Sequence, residues 1–302
     1  MTVSLVLRCV ANFSMRVLLT GASGYIGAYL LRHLPRDVRL TLGRHSTLPE
    51  QQNPDLKMIH LDLNLPIASQ LKKLKFDCVI HAAAMANLQT CENNPDKCMR
   101  INYQASLELA EYCQATDSAF VFLSTDIIFS GKHAPYAAAD VAHPLNTYGL
   151  SKKMAEDAIR KGCSKAAILR LALVLGRGLN GTINFLDWFS GRLSRFEKVP
   201  LFKDEIRTPL WADDVAQTIW IVAAGKINGT HHLCGDRVFN RYELGRLLAE
   251  ELSADPDLLY ADTYKSARLK RPANVSMLAG DVIPAFSFDA GIKKYFKGSA
   301  HE

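Results

Sequence analysis

The chain has 302 residues, 48% hydrophobic and 22% charged, with a formal net charge of +6. That length and apolar content suit one large α/β domain, or a domain carrying a smaller lobe, around a substantial core. Basic residues are mixed with acids, as in Lys152-Lys-Met-Ala-Glu156-Asp157, so no nucleic-acid partner is expected, and no apolar run approaches the roughly 20 residues that span a bilayer, so no membrane partner is expected either. Seven cysteines, an odd number with no Cys-x-x-Cys pair, point to free thiols in a reducing cytoplasm rather than a disulfide framework, and no metal site is expected.

In chain order, Met1–Phe13 place Arg8 inside a short apolar run and offer no small-residue cleavage site, so a signal peptide is not expected. Met15 reads as the more natural start, with 1–14 as an extension. Arg16–Thr20 is predicted as a buried strand, and Tyr25–Leu34 as a helix, with Ile26, Tyr29, Leu30 and Leu34 recurring at helical spacing. Thr20-Gly-Ala-Ser-Gly-Tyr-Ile-Gly27 joins them. A tight strand-to-helix turn needs residues without a Cβ, both for unusual backbone angles and for close approach of a phosphate. Gly21, Ser23, Gly24, Tyr25, Ile26 and Gly27 would thus present N–H groups and the positive end of a helix dipole to a dinucleotide pyrophosphate. The Gly-x-x-Gly-x-x-Gly spacing differs from the Gly-x-Gly-x-x-Gly dinucleotide fingerprint, and a glycine-rich turn of purely structural use is the alternative.

Val38–Leu42, Lys57–Leu61, Asp77–His81, Ala119–Ser124 and Ala167–Leu175 are predicted as strands buried on both faces, with helices at Ile101–Cys113 and Tyr148–Ile159. This alternation predicts a doubly wound, mostly parallel sheet, a Rossmann-like α/β fold. The second strand ends in Gly43-Arg44-His45-Ser46, with no carboxylate to repel a 2′-phosphate. Arg44 and Ser46 could bind that phosphate, which favours NADP(H), with NAD as the alternative cofactor; the other reading of Arg44 is a solvent-facing side chain.

Beyond 176 the rhythm changes. A glycine-rich turn at Gly176–Gly181 is followed by predicted helices at Asn184–Leu193, Ala212–Ala224 and Tyr242–Leu252 and a strand at Thr230–Leu233. The reading is a Rossmann domain of 15–175 plus about 210–235, and a C-terminal substrate lobe of about 176–209 plus 236–302.

Tyr148 and Lys152 lie four apart on a predicted helix and so share a face. A lysine cation beside a phenol favours the phenolate and would bring the tyrosine from about 10 toward neutrality, suiting it to general acid or base work. Of ten tyrosines, Tyr148 alone has lysine at that offset. Thr125, at the end of a strand, could donate to the same substrate oxygen.

These features resemble an extended short-chain dehydrogenase/reductase, most similar to the dTDP-4-dehydrorhamnose reductase family. The resemblance is carried by the glycine turn, His81-Ala-Ala-Ala84, Ile101-Asn102, Leu123-Ser-Thr-Asp-Ile-Ile-Phe129 and Pro144-Leu-Asn-Thr-Tyr-Gly-Leu-Ser-Lys152. Later echoes are Ile168-Leu-Arg170, Thr208-Pro-Leu-Trp-Ala-Asp-Asp214, Gly229-Thr-His-His-Leu233 and Arg271-Pro272. It implies a Thr125/Tyr148/Lys152 catalytic set, with Tyr148 as proton donor and Lys152 also on the nicotinamide ribose. It also implies a backbone strip at Ala82, Ala83 and Ala84 along the cofactor, with Asp62 and Leu63 beside adenine. Ile127-Ile128 and Trp211 depart from the usual pattern.

Single residues carry weaker expectations. Asp126 either orients substrate or anchors its loop, and Asn102 either fixes an active-site water or kink or satisfies main chain at a helix start. His81 reads as structural, and His231-His232 cannot both face one ligand from a strand. A buried Arg170 would need a partner, whereas Arg207 and Arg271, in polar stretches of the second lobe, are candidates for a substrate diphosphate. The leading expectation is NADP-dependent reduction of a nucleotide-linked 4-keto sugar. The alternatives are a sugar-nucleotide epimerase or dehydratase, and a non-catalytic NADP-binding regulatory subunit resembling the methionine adenosyltransferase β subunit. A homodimer is one assembly open to it.

Overall fold

The computed structural model describes residues 14–45 and 56–297. The extension before Ser14 and the Ser46 position therefore lie outside the described residues. In chain order come β1 (Met15–Thr20), α1 (Tyr25–Arg32), β2 (Val38–Arg44), β3 (Lys57–His60), α2 (Ile67–Leu71) and β4 (Cys78–His81). Next are α3 (Leu88–Asn93), α4 (Pro95–Met99), α5 (Ala105–Thr116), β5 (Ala119–Thr125), α6 (Thr147–Gly162), β6 (Ala166–Leu171) and β7 (Val174–Leu175). Then follow α7 (Phe185–Ser194), β8 (Val199–Phe202), β9 (Ile206–Arg207), β10 (Leu210–Trp211), α8 (Ala212–Gly225) and β11 (Gly229–Leu233). The last are β12 (Phe239–Asn240), α9 (Arg241–Glu251), β13 (Leu259–Asp262) and α10 (Phe288–Ile292).

Seven strands form one sheet in the order β11-β6-β5-β4-β1-β2-β3. β1 pairs parallel with both β2 and β4, and β4 with β5, as in doubly wound dinucleotide-binding sheets. The order reverses between β1 and β4, which makes the carboxyl ends of those two strands the topological switch point. β5 and β6 are buried along their whole length, as strands covered on both faces should be. β3 departs from that expectation: it is the edge strand, Met58 is exposed, and only Ile59 packs on the core.

Two further expectations are corrected. The apolar run 167–175 is two strands, because the chain leaves the sheet after Leu171 and Val174–Leu175 pair with Leu210–Trp211. Apolar content alone could not mark that exit. The helix expected from Ile101 begins as a π-helical stretch, Arg100–Gln104, and becomes α-helical only at Ala105. Asn102 lies in that stretch, fully buried, and the wider turn brings its amide to the main chain of Met85.

The chain divides into two compact units. The first comprises the described residues up to Ser124, Ser151–Leu169 and Ala216–Thr230. Its core gathers Leu18, Val79, Phe120, Phe122, Ile159 and Ile168. The second comprises Thr125–Leu150, Arg170–Val215 and the described residues from His231 onward, with a core of Leu175, Phe189, Leu201, Trp211, Leu248 and Phe288. Among the described residues no helix is long and apolar enough to cross a membrane.

Candidate active site

The turn after β1 is built around glycine for a measurable reason. Gly21 has φ +76°, and a Cβ there would lie 2.5 Å from the Ala83 nitrogen and 2.7 Å from the Ala82 carbonyl carbon. The turn and the strip after β4 thus meet backbone to backbone. At Gly27 a Cβ would overlap the Gly21 carbonyl oxygen, so α1 can start this close to β1 only with glycine there. Gly24 caps α1 without a side-chain hydrogen bond, and an anion at that end would take the place of a cap.

Thr20, Gly21, Ser23, Arg44, Leu63 and Ala83 line one open cleft, together with His45 and Leu61. Arg44 ends β2 and pairs across the sheet with His60. Asp62 flanks the cleft; its carboxylate accepts from the Asn64 N–H and side-chain amide, each at 2.8 Å, and sits 3.5 Å from His45. The Asn64 main-chain hydrogen bond is the main influence holding its carboxyl below the usual range. Ala84 continues the strip as an exposed residue.

His81 is structural, and its tautomer follows from its neighbours. The Thr20 hydroxyl accepts from the Ala83 N–H at 3.3 Å and lies 2.6 Å from His81 Nδ1, so it donates to that nitrogen. Ser106 Oγ donates to the Asn102 carbonyl at 2.7 Å and lies 3.0 Å from Nε2, which therefore carries the proton. Burial, with Lys152 adding to it, pushes this imidazole down to about 3.

Thr125 ends β5, buried, with its hydroxyl accepting from the Ile127 N–H and donating to Asp126 Oδ1, both at 3.3 Å. Tyr148 and Lys152 are on successive turns of α6. Gly149 follows Tyr148 because a Cβ there would lie 2.6 Å from the Ile127 carbonyl oxygen. The turn after Thr125 and the start of α6 are therefore in contact. Lys152 is 2% exposed, with its ammonium 4.0 Å from the centre of the Phe122 ring. Burial drives it down to about 7 against the pull of Glu156 one turn on. Glu156 is itself fully buried and accepts from Ser124 Oγ at 2.5 Å and Arg160 at 3.0 Å.

Asn102 ties α6 to the strip after β4. Its Oδ1 accepts from the Met85 N–H at 2.8 Å, while its Nδ2 donates to the Met85 carbonyl at 2.9 Å and to Ser151 Oγ at 3.1 Å. Asn102 does not satisfy local main chain at a helix start: it lies in the π-helical distortion and binds the main chain of Met85, 17 residues earlier.

The second unit holds the other candidates. Arg207 is not on a polar surface, as its neighbours in sequence suggested, but 4% exposed. It lies 3.5 Å from Asp126 and 3.2 Å from Glu205, and Arg271 reaches Glu205 at 3.4 Å. Asp126 is correspondingly anchored by an ion pair; burial pushes its carboxyl up against the pull of Arg207. Arg170 is buried and donates to the Ala138 carbonyl at 2.9 Å, with Phe129 under its guanidinium at 5.2 Å. His232 is buried and His231 half-buried, though burial does not alternate along β11. Trp211, one of the departures from the family pattern, fills the core: its indole N–H donates to the Phe288 carbonyl at 3.1 Å, and only glycine fits beside its ring at 291. Glu205, Glu156 and Gly149 were missed as single residues, since nothing in spacing or composition marks them.

A switch-point glycine turn, a buried lysine one helical turn from a tyrosine, and a threonine ending the fifth strand define a short-chain dehydrogenase/reductase of the extended type. The chain belongs to the family described as RmlD substrate binding domain, which matches residues 15–290. It is 30% identical over 263 residues to the "Probable low-salt glycan biosynthesis reductase" of Haloferax volcanii, covering 86% of this chain and 87% of that one. It is 25% identical to mouse methionine adenosyltransferase 2 subunit beta, over 93% of this chain and 87% of that one. In structure it is similar to a dTDP-4-dehydrorhamnose reductase from Bacillus anthracis solved in complex with NADP. That likeness has a TM-score of 0.83 at 20% identity and covers 95% of this chain and 100% of that one.

Proposed function

We propose that this protein reduces a nucleotide-linked 4-keto sugar with NADPH. The observation that carries the reading is α6, which places Tyr148 one turn before a buried lysine in a chain of this family. The residues at the switch point fit a dinucleotide: a Cβ at Gly21 would fill the space against Ala82 and Ala83, and Arg44 stands at the cleft with no carboxylate ending β2. Gly21, Ser23, Gly24, Tyr25, Ile26 and Gly27 would hold the pyrophosphate, Ala82–Ala84 would flank the cofactor, and Asp62 and Leu63 would border its adenine. Arg44, with Ser46, would take the 2′-phosphate, which favours NADP over NAD. When bound, the nicotinamide supplies a hydride. Tyr148 delivers a proton to the keto oxygen, the Thr125 hydroxyl donates a hydrogen bond to that oxygen, and Lys152 holds the ribose and favours the phenolate once the proton has left. For that, the Thr125 proton must turn from Asp126 toward substrate.

In this reading 15–175 with about 210–235 is the cofactor domain, and about 176–209 with 236–302 is the substrate lobe. Arg207 and Arg271 take the diphosphate, and Asp126 acts beside Thr125. Six described cysteines are buried free thiols, which suits the cytoplasm, and a homodimer is the assembly to test by light scattering. NADPH oxidation with a panel of dTDP- and other nucleotide-linked 4-keto sugars tests the activity. Similarity to the β subunit along nearly the whole chain favours one rival, a cofactor-binding regulatory subunit. That rival predicts NADPH binding without turnover and capture of a partner enzyme.

A further inference from the structure

Five ionisable side chains meet in the second unit, around a glutamate that no sequence motif marks. Glu205 is 1% exposed. Its Oε1 lies 3.0 Å from Arg241 Nε and 3.2 Å from Arg207 Nη2, its Oε2 lies 3.4 Å from Arg271 Nη1, and Asp126 reaches Arg207 Nε at 3.5 Å. Burial pushes the Glu205 carboxyl up, but Arg241, Arg207 and Arg271 outweigh it and pull it down to about 2. Three guanidiniums face two carboxylates, so the cluster carries an excess of positive charge, and Arg271, with 34% of its side chain exposed, brings that excess to the solvent edge. An excess of guanidinium at an accessible edge suits a phosphate anion, which can take charge-assisted hydrogen bonds from more than one of them. Three polar atoms of the cluster are buried without a hydrogen-bond partner, the donors Arg241 Nη1 and Arg271 Nε and the acceptor Asp126 Oδ2, and the two donors are open to an anion. Both guanidiniums are stacked, Arg241 4.9 Å from the Phe185 ring and Arg271 5.9 Å from Phe202, which limits the ways they can turn. A cluster serving only to cross-link loops would balance its charges and satisfy its donors.

We propose that Glu205 is a positioning residue that gathers Arg207, Arg241 and Arg271 into one cradle for the phosphate groups of the nucleotide-linked substrate. This rests on the nucleotide-sugar reading above and adds Arg241 and Glu205 to it. Glu205 acts through the arginines: without its charge three cations would repel one another and splay, and the phosphate oxygens would lose their prearranged fork.

The test is calorimetric titration with dTDP, beside steady-state kinetics, on the wild type and on Glu205→Gln, Glu205→Asp and Arg241→Gln. Arg241→Gln removes a buried positive charge and serves if Glu205→Gln does not fold. The cradle predicts that Glu205→Gln and Arg241→Gln each weaken dTDP binding and raise substrate KM by about tenfold or more, the scale of one charge-assisted hydrogen bond. It also predicts kcat and NADPH affinity within about twofold of the wild type, and partial recovery in Glu205→Asp. Unchanged dTDP affinity in variants that still bind NADPH overturns the cradle alone. A wild type that binds no dTDP overturns the nucleotide-sugar reading, and the cradle with it.

Discussion

Lys152 and Tyr148 illustrate what a single offset in sequence can and cannot convey. The offset identified the pair, but not that Lys152 is buried and brought down to about 7, where its charge depends on surroundings rather than on lysine's ordinary basicity. Replacing Tyr148 by Phe is expected to lower turnover about 100-fold or more while NADPH still binds, the usual scale for losing a positioned acid; rate measurements under saturating cofactor decide it. Arg44→Ala is expected to shrink the NADPH-over-NADH preference by about tenfold or more, read by titration with each cofactor. His81 carries a pH consequence. Its folded value of about 3 lies below the ordinary 6.5, so the unfolded chain binds the extra proton between them. The stability of the neutral imidazole is present above 6.5 and is lost as pH falls toward 3. Thermal melts from neutral to acid pH should show this loss, and His81→Gln should flatten it. Arg207 was legible as a cation outside the glycine-turn half of the chain, whereas its burial was not. Glu205 and Asp126 offset the cost of burying that charge, and a partner's position is a property of the fold.

At the level of elements, the glycine turn was legible almost completely because tight turns tolerate few residue types. Gly21→Ala puts a methyl against the Ala82–Ala83 backbone at a φ of +76° that disfavours side chains. It is expected to lower the melting temperature and to weaken NADPH binding more than substrate binding; a variant with wild-type cofactor affinity would mean that the turn does not approach the dinucleotide. Strand positions were legible from apolar runs, but their burial was not, since β3 reads like its neighbours and differs only in lying at the edge. The π-helical stretch was hidden for a related reason. It exists to bring Asn102 to Met85, and helical periodicity contains no record of a partner 17 residues earlier.

Across the whole molecule, a parallel sheet follows from the alternation of strands and helices, while the order of its strands is a property of the fold. The two units were harder to read, because the chain returns to each in three separate segments and no linker composition marks the crossings. The sequence pattern was therefore strongest where local rules decide, at the turn and on α6, and weakest where distant segments converge, at Glu205. The claim that joins these scales is that the cofactor turn and the Thr125, Tyr148 and Lys152 set serve one reaction. The most direct measurement is NADPH consumption by the purified protein with dTDP-4-dehydrorhamnose and related nucleotide-linked 4-keto sugars, with the products identified by mass spectrometry. The account predicts stoichiometric formation of NADP and a reduced sugar nucleotide with at least one of them, abolished by Tyr148→Phe. NADPH binding with no turnover on any of them, or turnover that survives Tyr148→Phe, would contradict it.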